Sequence, residues 1–251
     1  MSAFLASVRD LAEAKLAYRV GAEWIDLKEP ASGALGAVAP HTVAEVVTWT
    51  AVQERHVALS ATIGDCWDTL SVMPSRVETL HAVGVDHAKI GIFAACPSAE
   101  LLQTIRQCCV VGVKVILVCF AEEPPDPTDI NAYAACGIAG VMLDTANKTG
   151  PSLTGLLSTK ELGEFVATVH RHDLICGLAG SLVLSDVDKL SALKPDYLGF
   201  RGALCSNAVR ESQFSYAAAM RVRECLDNSE NRDGKSPADQ NVLDLSGAQQ
   251  I

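Results

Sequence analysis

Short apolar runs alternate with longer amphipathic ones along this chain, eight times over. Short apolar runs bounded by turn residues read as buried strands, and apolar positions spaced three and four apart read as helices with one packed face. The first predicted strand is Phe4–Val8, followed by a helix from Asp10 with Leu11, Ala14, Leu16 and Ala17 on one side. Next come a strand at Trp24–Lys28, a helix at Thr42–Gln53, a strand at His56–Thr62 and a helix at Asp68–Val83. A strand at Val85–Ile90 leads to a helix with Pro97 at its first position, running to Val110. A strand at Lys114–Phe120 precedes a Pro-rich loop and a short helix at Thr128–Ala135. The remaining strands are Gly140–Asp144, Leu174–Gly177 and Tyr197–Phe200, with helices at Thr159–His172, Ser185–Leu193 and Asn207–Leu226.

Such alternation implies parallel strands joined by crossover helices. Eight units in about 225 residues predict a single (β/α)8 TIM barrel of the α/β class, with little room for insertions. A doubly wound open sheet would carry a G-x-G-x-x-G turn after its first strand, and Ser7-Val8-Arg9-Asp10 offers none. The predicted domain is therefore residues 1–226. From Asp227 the composition turns polar, and residues 227–251 read as a disordered C-terminal tail.

The net charge of −10 argues against nucleic acid as a partner, since phosphates attract basic surfaces. It leaves room for a phosphorylated small-molecule substrate, because a pocket can be cationic inside an acidic protein. Nine cysteines, an odd number mostly set in apolar patterns, do not form a disulfide framework. No cysteine or histidine spacing suits zinc, so no metal is expected. Neither a signal peptide nor a run of membrane-spanning length is visible, and a reduced, cytoplasmic protein is expected. The sequence leaves a homo-oligomer open.

In a barrel of this class the chemistry sits at the C-terminal ends of the strands. In the second strand Trp24, Asp26 and Lys28 share one face, and Ile25 and Leu27 share the other. The fourth strand brings Lys89 to the rim, the sixth brings Asp144, and Lys148 follows four residues later. Solvated charges at single strand ends are common. Three lysines and two aspartates on one rim are harder to explain that way, because buried ion pairs seldom recover their desolvation cost. Lysines crowded together keep a larger fraction of free amine, which suits Schiff-base chemistry and proton transfer. His87 has the right parity but lies deeper, as core or support, and Trp24 is expected to fill the barrel floor.

Two Gly-rich turns follow the seventh and eighth strands, at Gly177–Ser181 and Gly199–Ala203. Glycines here permit tight turns, and in this position they also let backbone N–H groups face a phosphate. The expected donors are Gly180, Ser181, Gly202 and Ala203, with Arg201 pointing either to the lumen or to a salt bridge on a neighbouring strand. The turn at Ser32–Gly36 offers a second, weaker anion nest.

The segments D-L-K-E-P-A-S-G-A-L-G at Asp26–Gly36, H-A-K-I-G around Lys89, M-L-D-T-A-N-K at Met142–Lys148, G-L-A-G-S-L at Gly177–Leu182 and G-F-R-G-A-L-C at Gly199–Cys205 together resemble the (5-formylfuran-3-yl)methyl phosphate synthase (4-HFC-P synthase) family of methanofuran biosynthesis. The resemblance covers residues 4–225. It implies a class I aldolase-like barrel, a carbon–oxygen lyase acting on phosphates. Such an enzyme joins two molecules of glyceraldehyde 3-phosphate into a phosphorylated furan aldehyde, with loss of phosphate and water. It further implies Lys28 as the Schiff-base lysine and Lys89 as the proton acceptor, with Asp26, Asp144 and Lys148 tied to activity. No cofactor is implied, because the iminium itself acts as the electron sink. Two other readings stay open: a Schiff-base aldolase for a different sugar phosphate, and a non-catalytic barrel that binds phosphorylated sugars.

Overall fold

The computed structural model of the chain describes residues 2–66, 69–93 and 97–233, with side chains to residue 229. Its strands are β1 (Ala3–Val8), β2 (Trp24–Leu27), β3 (Ala58–Thr62), β4 (His87–Ile92), β5 (Lys114–Phe120), β6 (Gly140–Asp144), β7 (Ile175–Leu178) and β8 (Tyr197–Phe200). They pair in parallel in sequence order and close on themselves, β8 against β1, as a TIM barrel. Around them run α1 (Leu11–Arg19), α2 (Pro40–Thr50), α3 (Met73–Val83), α4 (Ala99–Cys109), α5 (Pro127–Ala134), α6 (Leu153–Leu156), α7 (Thr159–His170), α8 (Val187–Ser191) and α9 (Tyr216–Asp233).

The predicted strands are all present, three of them with the expected bounds. Helix starts moved where a side chain offered a better cap. The Ser98 hydroxyl accepts from the Leu101 amide, so α4 begins after Ser98 and Pro97 stands outside it. Asp126 and Asp129 form a reciprocal capping box that starts α5 at Pro127. The helix expected from Asp68 is described from a 3₁₀ turn at Leu70–Val72 onward, and Asp68 itself lies outside the described residues. The short α6 went unanticipated; it sits in the loop after β6.

The largest differences concern the last helix. It was expected from Asn207 to Leu226 and instead spans Tyr216–Asp233. Asn207 and Ala208 take positive φ, which a helix does not tolerate, and a bridge between Cys205 and Phe214 closes the segment as a loop. At the other end Arg223 pairs with Asp227 at 2.6 Å, and Ser229 is buried, so residues 227–233 belong to the helix rather than to a tail. The rest of the proposed tail, 234–251, lies outside the described residues.

The core has two parts. The larger lies between barrel and helices, and includes Ile25, Leu27, Ala88, Ile90, Leu117 and Leu143. The smaller fills the lumen with Leu5, Ile116, Val118, Met142 and Tyr197, and with Trp24 packed against them. Trp24 stacks at 5.0 Å on Tyr197 and at 4.6 Å on His87, so it does help to form the floor. The Tyr197 ring reaches across β7 because Gly177 has no side chain, and a Cβ there would fall 2.3 Å from that ring. His87 is buried and lies in this floor, with its pKa pushed down to about 4 by burial and further by Lys114 and Lys89, against the pull of Asp86.

Candidate active site

Strand register builds the site. Asp26 on β2 lies opposite Ser7 on β1 and Ser60 on β3. Both hydroxyls donate to its carboxylate, Ser60 at 2.6 Å and Ser7 at 3.2 Å. Two residues further on, Thr62 of β3 pairs with Lys89 of β4, whose Nζ lies 2.9 Å from the Asp26 carboxylate. Lys89 is 1% exposed and also sits 5.4 Å over the Tyr197 ring. On the far side of the lumen, Asp144 ends β6. Its carboxylate meets Lys148 at 2.5 Å and Lys28 at 3.5 Å. Glu122 holds the Lys148 loop by accepting from the Ala146 and Asn147 amides.

The five rim residues expected from sequence are thus brought together, in two linked groups: Lys89 with Asp26, and Lys28 and Lys148 with Asp144. Burial opposes the charge on Asp26, but Lys89, Lys28 and the Ser60 hydroxyl outweigh it and lower its pKa. Burial likewise opposes charge on Asp144, and Lys148 and Lys28 outweigh it, holding the carboxyl far below its usual range. Burial lowers the pKa of Lys89, against the attraction of Asp26. Burial also lowers that of Lys148, against Asp144 and with help from Lys28 and Arg210. Two carboxylates therefore stay ionised while two amines are biased toward the free base.

A cavity of about 460 Å³ opens above this layer. Asp26, Lys28, Asp144 and Lys148 line it, together with both Gly-rich turns. Lys89 is not at its wall; it is buried and pairs with Asp26, which is. The profile of the family described as 4-HFC-P synthase matches residues 4–223. The chain belongs to the 4-HFC-P synthase family.

Relatives in the 4-HFC-P synthase family agree along nearly their whole length. A protein of Methylorubrum extorquens, provisionally named as a (5-formylfuran-3-yl)methyl phosphate synthase, is 40% identical over 88% of this chain and 90% of its own. The (5-formylfuran-3-yl)methyl phosphate synthase of Methanopyrus kandleri is 35% identical over 79% of this chain and 87% of its own. The crystal structure of 3-hexulose-6-phosphate synthase from Salmonella typhimurium superposes with a TM-score of 0.64 at 12% identity, covering 90% of this chain and 99% of that one, a likeness of fold alone.

Within this 4-HFC-P synthase barrel, the expected phosphate residues divide. Gly180, Ser181, Gly202 and Ala203 all line the cavity. Leu204 and Cys205 donate to the carbonyls of Arg201 and Gly202, which leaves Gly202 and Ala203 as the open first turn of a 3₁₀ segment. Arg201 also borders the cavity, but its guanidinium is occupied. It forms a buried ion pair with Glu13 of α1 and donates to the carbonyls of Ser7, Arg210 and Ser212. Of the two orientations left open by parity, Arg201 takes the salt bridge, and its partner is a helix residue rather than a strand residue. The second nest at Ser32–Gly36 is already occupied by a carboxylate: Asp65 accepts from the Leu35 amide at 3.3 Å. A carboxylate in that place repels an anion.

Sequence reasoning missed Ser7, Ser60 and Arg210. The serines share the lumen parity of their strands, so register alone could have found them. Arg210 falls in a segment misread as helix, and nothing local marked it.

The two turns also differ in how they tolerate a side chain. A Cβ at Gly180, where φ is +111°, would lie 2.8 Å from Thr145 Cγ2 and 3.0 Å from the Thr145 amide nitrogen. Gly180→Val should therefore lower the melting temperature and confound any binding assay. At Gly202 the nearest atom is the Ala208 carbonyl at 3.3 Å, and φ is ordinary. Gly202→Val should leave far-UV circular dichroism unchanged while weakening phosphate affinity by roughly tenfold. Equal affinity in wild type and Gly202→Val would place the anion elsewhere.

Proposed function

We propose that the protein condenses two molecules of glyceraldehyde 3-phosphate, through a Schiff base on Lys28, into (5-formylfuran-3-yl)methyl phosphate, with loss of phosphate and water, as a step of methanofuran biosynthesis. The reading is supported by family membership and by the place of Lys28, whose side chain reaches the wall of the cavity beside Asp144. The Lys28 amine attacks the aldehyde carbon and water leaves, giving an iminium that acidifies the adjacent C–H. Removal of that proton gives an enamine, which expels or adds groups without a metal or organic electron sink.

Lys89 takes the role of proton acceptor that the family resemblance implies. Because Lys89 is buried and pairs with Asp26, the proton reaches it by way of the Asp26 carboxylate, which does line the cavity. Asp144 keeps Lys28 and Lys148 compensated before substrate arrives. Lys148 stands four residues after it on the same wall, placed to protonate a departing oxygen.

The test is incubation with glyceraldehyde 3-phosphate alone, followed by mass analysis. The expected products are the furan phosphate and inorganic phosphate. Because burial lowers the pKa of Lys89, the base, below the ordinary 10.5, kcat/KM should rise with pH through a limb below that value, and it should fall again as Lys148, the acid, loses its proton. A different aldol product would assign the barrel to another sugar phosphate. Tight binding with neither turnover nor a reducible adduct would make it a binding protein.

A further inference from the structure

We infer that Arg210 is an anchor for the substrate phosphate, carried into the site by the loop between β8 and α9. The inference deepens the proposed function and rests on it for the identity of the substrate, though not for the site itself.

The loop makes an unusual excursion. Where a helix would have continued outward from the barrel, Asn207 and Ala208 turn the chain with φ of +57° each. The bridge between Cys205 and Phe214 then brings it back. Arg201 fixes the far end of the excursion from beneath, donating to the carbonyls of Arg210 and Ser212. The cation that sequence reasoning assigned to phosphate is thus used to hold another one in place.

Arg210 lines the cavity wall together with Gly180, Ser181, Gly202 and Ala203. One Nη2 hydrogen goes to the Gly33 carbonyl at 3.0 Å, which joins this loop to the one after β2. The Nε atom is shielded from solvent and has no hydrogen-bond partner. A buried guanidinium N–H without an acceptor is costly, and it invites a ligand oxygen. Glu211, Asp144, Asp65, Lys148 and Arg201 are the charged groups around it. Two of the three carboxylates are engaged, Asp144 by Lys148 and Lys28 and Asp65 by the Leu35 amide, and the third, Glu211, is exposed at the cavity's edge. A dianion set between the two Gly-rich turns and Arg210 would receive backbone donors from one side and a planar cation from the other. In a protein with an overall charge of −10, phosphate binding depends on such local cations.

The experiment measures inorganic phosphate binding to the full chain by calorimetry, alongside steady-state kinetics with glyceraldehyde 3-phosphate. Arg210→Ala should weaken phosphate binding and raise KM by about tenfold or more, with kcat changed far less. Arg210→Lys should recover part of the affinity, since it restores charge without the fork. The melting temperature without phosphate reports the lost Gly33 contact separately. Arg210→Gln keeps an N–H donor but no charge, and it should bind phosphate as poorly as Arg210→Ala. Unchanged phosphate affinity in Arg210→Ala, or a wild type that binds no phosphate, would overturn the anchor. If phosphate binding falls as expected but wild type makes no furan product, the anchor stands and the proposed reaction fails.

Discussion

Lys28→Arg should abolish covalent trapping and lower turnover by about three orders of magnitude or more, while the protein stays folded. Arginine keeps the positive charge facing Asp144, so the buried carboxylate retains its partner. It cannot form an iminium at neutral pH. Borohydride reduction with glyceraldehyde 3-phosphate should add mass to the peptide containing Lys28 in the wild type only. The experiment has a real competitor. Lys148 also lines the cavity, lies closer to Asp144, and has its pKa lowered by burial. Geometry alone does not choose between the two amines; the expectation of Lys28 rests on the family resemblance carried by the D-L-K-E-P motif. An adduct on Lys148 with Lys28→Arg still active would transfer the nucleophile to β6's loop.

Asp144→Leu should be the most destabilising single change at the site. Removing this carboxylate leaves Lys28 and Lys148, both largely buried, without their shared counter-ion. Breaking a buried pair by deleting one partner costs about 3–5 kcal/mol, a fall of roughly 10 °C in melting temperature for a chain of this size. The pH dependence gives a second signature. Asp144 titrates below its ordinary 3.8 in the folded protein, so its stabilising effect is complete above that pH. The effect is lost as pH falls through the depressed value, and wild type and variant should converge in acid. Adding Lys148→Met to Asp144→Leu should recover part of the stability, because one orphaned cation is gone. A variant that melts like wild type at neutral pH would mean that solvent, not Asp144, compensates these lysines.

The strands were legible because their signal is strong and local. The run Val115–Phe120 is apolar on both faces, the pattern of a strand buried on both sides as in a parallel sheet. Rim chemistry followed from parity, since Asp26 and Lys28 must share a face once Ile25 and Leu27 are buried. Depth was not legible. Lys28 follows the last residue of β2, whereas β4 runs three residues past Lys89 to Ile92, so Lys89 lies off the cavity and Lys28 at its wall. That difference depends on barrel stagger, which no single strand encodes. The excursion at residues 205–215 escaped for a related reason. Its shape is set by ties from Arg201 and by the distant contact of Arg210 with Gly33, while Asn207, Ala208 and Val209 carry no Gly or Pro to mark a turn. The start of α4 shows the local version of the same limit, where Pro97 and Ser98 both qualified as a beginning and the hydroxyl decided.

The missing side chain at Gly177 has a consequence for how this barrel can diverge. The space above it belongs to the Tyr197 ring, which also meets Trp24 and reaches Met142 through its hydroxyl. Positions 177 and 197 therefore form one unit of variation. A drift to Ala or Val at the first requires a smaller residue at the second, and the floor under Lys89 would be recast by both changes together. Neither position lines the cavity, so a lineage could exchange this pair, and retune the lysine paired with Asp26, without altering a residue of the cavity wall.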